Sequence, residues 1–249
     1  MSDDVILQAR GVTKRFGAFT ALEDVSVDFR RNRLAAIIGP NGAGKSTFFN
    51  VISGAFPPTA GQILFEGRDI TGLEPHQFAR IGIAKSFQIT SLFPQLSARE
   101  NVRLAVQMRR TRFNLFSPRT AFPELVEKAD HLLETVGLAG HGDRTSADLA
   151  HGQQRSLEVA MALASDPKLL LLDEPTAGMS PEETVAMMDL IVKLAAERTV
   201  ILVEHKMKLV MGICERLLVL HHGRFLAEGT PAEIRDNDEV RRVYLGHPT

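Results

Sequence analysis

The chain has 249 residues, 44% of them hydrophobic, and its 29 Lys plus Arg against 30 Asp plus Glu leave a net charge of −1. That is enough apolar material for a sizeable core in one domain with room for two lobes, and the balanced charge excludes a global field favouring nucleic acid. The single cysteine, Cys214, excludes an internal disulfide framework or a thiolate metal cluster within one chain; it fits a reducing cytosol and reads as a small core filler. The N-terminus MSDDVILQAR is acidic and lacks the apolar stretch of a secretion signal. No run approaches the ~20 apolar residues that span a bilayer, so any membrane role is expected to act through a partner.

In chain order, Val5 to Phe29 predicts short antiparallel strands at an edge, with turns around Arg15 to Gly17 and at Glu23-Asp24. Leu34-Ala35-Ala36-Ile37-Ile38 is a buried strand that opens a nucleotide-binding core, and Ser46 to Ile52 starts a helix. Gln62 to Phe65 with the turn Glu66-Gly67 adds a strand, followed by a helix near Pro75 to Arg80. Ser97-Ala98-Arg99-Glu100 has the spacing of a capping box and opens a helix toward Met108. Arg109 to Phe122 reads as a basic loop. Pro123 to Val136 is an amphipathic helix with Leu125, Ala129, Leu132, Leu133 and Val136 on one face, ended by Gly137. A mostly helical lobe is therefore expected between about Leu92 and Ser165.

Beyond Pro167, strands at Leu169 to Leu172, Val200 to Val203 and Leu217 to Leu220 predict a mostly parallel, buried sheet. Ser180-Pro181-Glu182-Glu183 and Thr230-Pro231-Ala232-Glu233 each place an N-cap, an N1 proline and an acidic N3 together, so each begins a helix. The expected fold is α/β, a single domain over 1–249: a P-loop core with a mixed, mostly parallel sheet, an antiparallel β edge and the inserted helical lobe.

Between the first core strand and its helix lies Gly39-Pro40-Asn41-Gly42-Ala43-Gly44-Lys45-Ser46-Thr47. Its glycines let backbone N–H groups converge on phosphate oxygens at a helix N-terminus, Lys45 reaches the β- and γ-phosphates, and Ser46 can ligate Mg²⁺. Such a loop serves kinases, GTPases, helicases and transporter ATPases alike. Downstream, an apolar strand delivers Asp173, suited to hold Mg²⁺ through water, and Glu174, expected to point the opposite way and to take a proton from an attacking water.

Together with the phosphate loop and LLLLDEP, the stretch Leu149-Ala150-His151-Gly152-Gln153-Gln154-Arg155, Gln88 in SFQ and His205 in VEH resemble the ATP-binding subunit of an ABC transporter over nearly the whole chain. The resemblance implies that Phe16 stacks on adenine, that Gln88 senses Mg²⁺ and the attacking water, and that His205 bonds the γ-phosphate. It also implies that Ala150, His151, Gly152 and Gln153 close over the nucleotide of a second ATP-binding subunit. The chain departs from the family's usual LSGGQ, because Ala150 stands where a serine would donate to that γ-phosphate. A second departure is Ser180, where an aspartate is usual; Ser180 reads chiefly as a helix cap.

The AGMSPEE loop and the tail GTPAEI with VRRVYLG resemble the branched-chain or hydrophobic amino-acid uptake branch, and similar tails occur in lipopolysaccharide-export ATPases. The implied system comprises ATP and Mg²⁺, transmembrane permease subunits contacted near Leu92 to Leu104, a substrate-binding protein, and a place on the cytoplasmic face of the inner membrane. No nucleic-acid partner is expected. A soluble ABC ATPase acting on DNA or ribosomes would carry tandem domains, coiled-coil inserts or zinc cysteines, none of which the sequence contains. An idle assembly subunit would not need Lys45, Asp173, Glu174 and His205 together.

Overall fold

The structure, a computed structural model, describes residues 4–86, 92–110 and 122–245. Strands β1 (Val5–Phe16) and β2 (Phe19–Arg30) form a long antiparallel hairpin. With β4 (Ala60–Phe65) and β5 (Arg68–Asp69) they make a four-stranded sheet of order β2-β1-β4-β5. The antiparallel element is thus a sheet of its own and not merely an edge. The turn expected at Glu23-Asp24 is absent: both residues lie inside β2, where Asp24 takes φ 51° at an irregularity of the register. A bulge there bends the hairpin without breaking its pairing, and the Asp24 N–H is met by the Thr13 hydroxyl at 3.1 Å.

The second sheet has six strands in the order β10-β9-β3-β8-β7-β6, comprising β3 (Leu34–Ile38), β6 (Ile83–Lys85), β7 (Leu169–Asp173), β8 (Thr199–Val203), β9 (Arg216–His221) and β10 (Arg224–Gly229). All pairings are parallel except β10 with β9. The short β6 and the edge strand β10 are additions to the sequence expectation. Both rely on pairing with one neighbour more than on an apolar run of their own.

Alternation along these strands explains why they read as unbroken apolar runs. Leu34, Ala36 and Ile38 of β3, with Leu170 and Leu172 of β7 and Val200 and Leu202 of β8, face one core. Ala35, Ile37, Leu169, Leu171, Ile201 and Val203 face the other. The first core is closed by helices α3 (Ala98–Arg110), α4 (Pro123–Thr135), α5 (His151–Leu163), α6 (Pro181–Ala195) and α7 (Met207–Ile213). The second is closed by the antiparallel sheet with α1 (Lys45–Ile52) and α2 (Pro75–Ile81), which contribute Phe48, Phe49 and Phe78. Each such fully buried side chain is worth about 1.5–3 kcal/mol, so a sheet buried on both faces is a rigid base for loops at its strand ends. Short helices α8 (Pro231–Asp236) and α9 (Asp238–Val240) follow β10.

The capping expectations hold for Ser180 and Thr230, whose hydroxyls accept from the Glu183 and Glu233 N–H groups at 3.2 and 3.3 Å. Ser97 forms half of its box. Its hydroxyl accepts from Glu100 N–H at 3.2 Å, but the Glu100 carboxylate turns to the Arg103 guanidinium. Helix α3 runs through Arg110, so Arg109 and Arg110 are helical and not the start of the basic loop expected there; residues 111–121 lie outside the described residues. Among the described residues no helix is long and apolar enough to cross a membrane.

Cys214 is buried, and burial with the nearby Glu215 charge pushes its thiol up to about 12. A thiol-specific reagent in mildly alkaline buffer is expected to leave the native chain unlabelled and to modify Cys214 once denaturant is added. Rapid native labelling would contradict its place in the core.

Candidate active site

The C-terminal ends of the parallel strands converge on one edge of the sheet, the usual location of ligands in open α/β folds. There β3 hands over to the phosphate loop, β7 to Asp173 and Glu174, and β8 to Glu204 and His205. Gly39 is required: its φ is 148°, and a Cβ would sit 2.2 Å from the Leu220 carbonyl oxygen of β9. The turn after β9 braces the loop further through Gly223, whose N–H donates to Ala43 O at 3.0 Å.

Lys45 opens α1 and folds back over the loop, donating to the carbonyls of Gly39 at 2.8 Å and Pro40 at 2.9 Å. Burial lowers its pKa from the ordinary lysine value, while the Glu174 charge raises it. Ser46 and Asn41 are exposed beside it, Thr47 is half-buried, and Ala43 is packed inside the loop. Asn41, Gly42 and Ser46 thus leave part of the loop and of the helix start exposed. Phe16 stands at the hairpin tip, 45% exposed, edge-on to Phe56 with ring centroids 5.7 Å apart and Lys14 Nζ 5.1 Å from its own centroid.

Asp173 is the last residue of β7 and only 4% exposed. Burial lifts its carboxyl above the usual range; the Lys85 ammonium pulls it back and Glu174 pushes it up again. Lys85 is a residue that sequence reasoning missed. It ends β6, donates to Asn50 Oδ1 at 2.6 Å and lies 5.2 Å from the Phe49 ring. At Glu174 strand alternation no longer applies: β7 has ended, and Glu174 takes φ 45° with its N–H donating to Val203 O at 2.9 Å. Its carboxylate lies 3.7 Å from His205 Nδ1. Lys45, Asp173, Glu174 and His205 are therefore one cluster. Gln88 lies outside the described residues.

No group of three or more His, Cys, Asp or Glu among the described residues could hold a metal by protein ligands alone. The donors at the loop suit Mg²⁺ nonetheless: one hydroxyl and one carboxylate of poorly compensated charge, the sparse set that this ion shares with phosphates and water.

Ala150, His151, Gly152 and Gln153 form the start of α5 and are not part of that cluster. Their polar contacts go elsewhere: His151 Nε2 lies 3.2 Å from Ala177 O, and Gln153 Oε1 accepts from Ala150 N–H at 3.1 Å. Ala150 is the N-cap and has no oxygen to return, so the α5 cap is half of a capping box. Gly152 is packed so closely on α6 that a Cβ would lie 2.4 Å from Glu183 Oε1. A cavity of about 370 Å³ opens behind this segment, between the end of α4 and α6, and not at the phosphate loop.

A parallel sheet whose strand ends carry a phosphate loop, paired acids and a histidine defines a P-loop nucleoside triphosphatase. The family described as ABC transporter matches residues 22–177, and that described as branched-chain amino acid ATP-binding cassette transporter matches residues 226–248. The chain belongs to the ATP-binding subunits of ABC transporters, and it is an ATPase. The high-affinity branched-chain amino acid transport ATP-binding protein LivG of Salmonella typhimurium is 41% identical, over 97% of this chain and 98% of its own length. The protein BraF of Pseudomonas aeruginosa, of the same description, is 42% identical with the same coverage. The lipopolysaccharide export system ATP-binding protein LptB of Acidithiobacillus ferridurans is 37% identical over 97% of each chain. Among solved structures, an ATP-binding cassette of an ABC transporter in its ADP conformation superposes with a TM-score of 0.86 at 31% identity, covering 98% of this chain and 99% of that one. A dimeric cassette in a post-hydrolysis state, bound to ADP and phosphate, superposes at 0.78 with 27% identity, covering 91% and 99%.

Proposed function

We propose that this chain powers uptake of branched-chain or other hydrophobic amino acids, two ATP-binding subunits closing over ATP against a membrane-embedded permease. The observation that carries the substrate class is the match of residues 226–248 to the branched-chain amino acid family, alongside full-length relatives of that description. The similarity to LptB, an export ATPase, is lower. The test is to purify the chain from native membrane with its associated proteins, reconstitute the complex and measure solute-stimulated ATPase. Stimulation by leucine, isoleucine or valine with the co-purified binding protein supports the reading; stimulation by lipopolysaccharide alone overturns it.

Within the site, Lys45 and the loop N–H groups hold the β- and γ-phosphates, and Phe16 stacks on the adenine. Glu174 accepts the proton of the attacking water, while His205, beside it, bonds the γ-phosphate. Ser46 and Asp173 would hold Mg²⁺, which when bound neutralises phosphate charge. Gln88 is assigned to sensing that ion and the attacking water. The phosphate loop lies on an open surface, consistent with a half-site whose other wall is the Ala150 to Gln153 segment of a second subunit.

Residues 92–165 act as one helical lobe, supported by the packing of α3, α4 and α5 into a common core. Its permease contact is placed near Phe93, whose ring is 53% exposed although its backbone is pinned by the buried Asn101 side chain at 2.8 and 3.2 Å. A rigid backbone that presents an exposed aromatic ring suits docking of a helix from the permease. The chain is assigned to the inner face of the membrane as a peripheral subunit.

Ala150→Ser would supply the missing cap oxygen to α5, worth about 1 kcal/mol, and a donor for the opposing γ-phosphate. A higher melting temperature, and ATP-driven pairing at lower protein concentration with faster turnover, are the expected results. Unchanged pairing and turnover would remove Ala150 from the closing contact.

A further inference from the structure

Glu204 directly follows β8 and has none of its surface exposed. The strand residues just before it are apolar, and a buried carboxylate at such a place is costly unless hydrogen bonds compensate it. The compensation comes from two loops. From the loop after β7, the Thr176 hydroxyl and the Thr176 N–H, at 3.4 Å, donate to Oε1. From the loop after β8, the N–H groups of His205 at 3.0 Å and Lys206 at 3.3 Å donate to Oε2. Lys206 Nζ closes the circuit on Thr176 O at 3.1 Å.

One side chain thus ties the segment that begins at Glu174 to the segment that carries His205. The His205 ring lies between two carboxylates, its Nδ1 3.7 Å from both Glu174 Oε1 and Glu204 Oε2. The loop after β7 continues to Ala177, whose carbonyl meets His151 of the α5 start. A continuous chain of hydrogen bonds therefore runs from His151 through the loop of Ala177 and Thr176 to Glu204 and the His205 backbone.

We propose that Glu204 is a positioning residue for ATP hydrolysis: by clamping Thr176 to the backbone of His205 and Lys206, it sets His205 against Glu174. The inference rests on the roles given above to His205 and Glu174. Glu204→Gln keeps the shape but turns an amide NH₂ toward donors that need an acceptor, and Thr176→Val removes the hydroxyl donor.

The test measures ATPase kinetics and binding of a fluorescent ATP analogue for the full chain, with each substitution made alone and in a His205→Ala background. Misplacing a catalytic group by about 1 Å costs up to about 100-fold, so Glu204→Gln and Thr176→Val are expected to lower kcat by about 10- to 100-fold. KM and analogue affinity should stay within about threefold, and Thr176→Ser should restore turnover. In the His205→Ala background Glu204→Gln should cost less than about threefold more, because groups acting as a unit are not additive. Should Glu204→Gln fail to fold, Thr176→Val carries the same comparison. Wild-type kcat in both variants, KM rising in step with the loss, or full additivity with His205→Ala would overturn the proposal. Full turnover by His205→Ala would overturn both it and the role of His205; a large His205→Ala loss beside an intact Glu204→Gln overturns only the clamp.

Discussion

Glu174→Gln is expected to lower ATP turnover by about 10²- to 10⁴-fold, the range that positioned general bases contribute, while ATP still binds. The substitution keeps the shape of a side chain whose backbone is already fixed, by Val203 O at 2.9 Å and by Ala177 N–H donating to Glu174 O at 3.0 Å. Only proton acceptance and negative charge are lost. The charge also works against the ionised form of Asp173, so its removal eases Asp173 toward the carboxylate. A closed, ATP-loaded pair should therefore accumulate. Phosphate release and gel filtration with ATP provide the check; turnover within threefold of the parent chain would remove Glu174 from its role.

Lys45→Ala should have the second large effect, on binding first. Its ammonium is held inside the loop by the Gly39 and Pro40 carbonyls, and its loss removes both a cation for the phosphates and a strut for the backbone around them. Hydrogen bonds to charged groups contribute about 1.5–3 kcal/mol, so ATP affinity should fall by roughly 10- to 150-fold and turnover to background. Lys45→Arg should not rescue it, since a planar guanidinium does not fit a space that encloses a single ammonium. Titration with a fluorescent ATP analogue decides the matter: affinity within threefold of the parent would mean that Lys45 does not hold phosphate.

These two residues were legible in the sequence because their setting is local. A phosphate loop is contiguous chain between one strand and one helix, and Asp173-Glu174 directly follow an apolar run. The caps at Ser180 and Thr230 were legible for the same reason, since cap and N3 residue lie one helical turn apart. At Glu100 the same pattern misled, because Arg103, one turn on, offers the carboxylate a stronger partner than the Ser97 N–H. Lys85 and Thr176 carried no signal of their own. Lys85 matters because β6 pairs with β7 and brings it to Asp173; Thr176 matters because β7 lies beside β8.

By itself the sequence determined the nucleotide-binding loop, the alternation of strands and helices and the apolar runs and helix face that are buried, all of which depend on spacing within short stretches. Only the tertiary structure decided that the N-terminal strands form a separate sheet, that β3 lies between β8 and β9, and that Glu204 joins two loops. The physical reason is that parallel neighbours are joined by crossovers and chosen by the simultaneous burial of both sheet faces, a condition on the whole chain that no local pattern records.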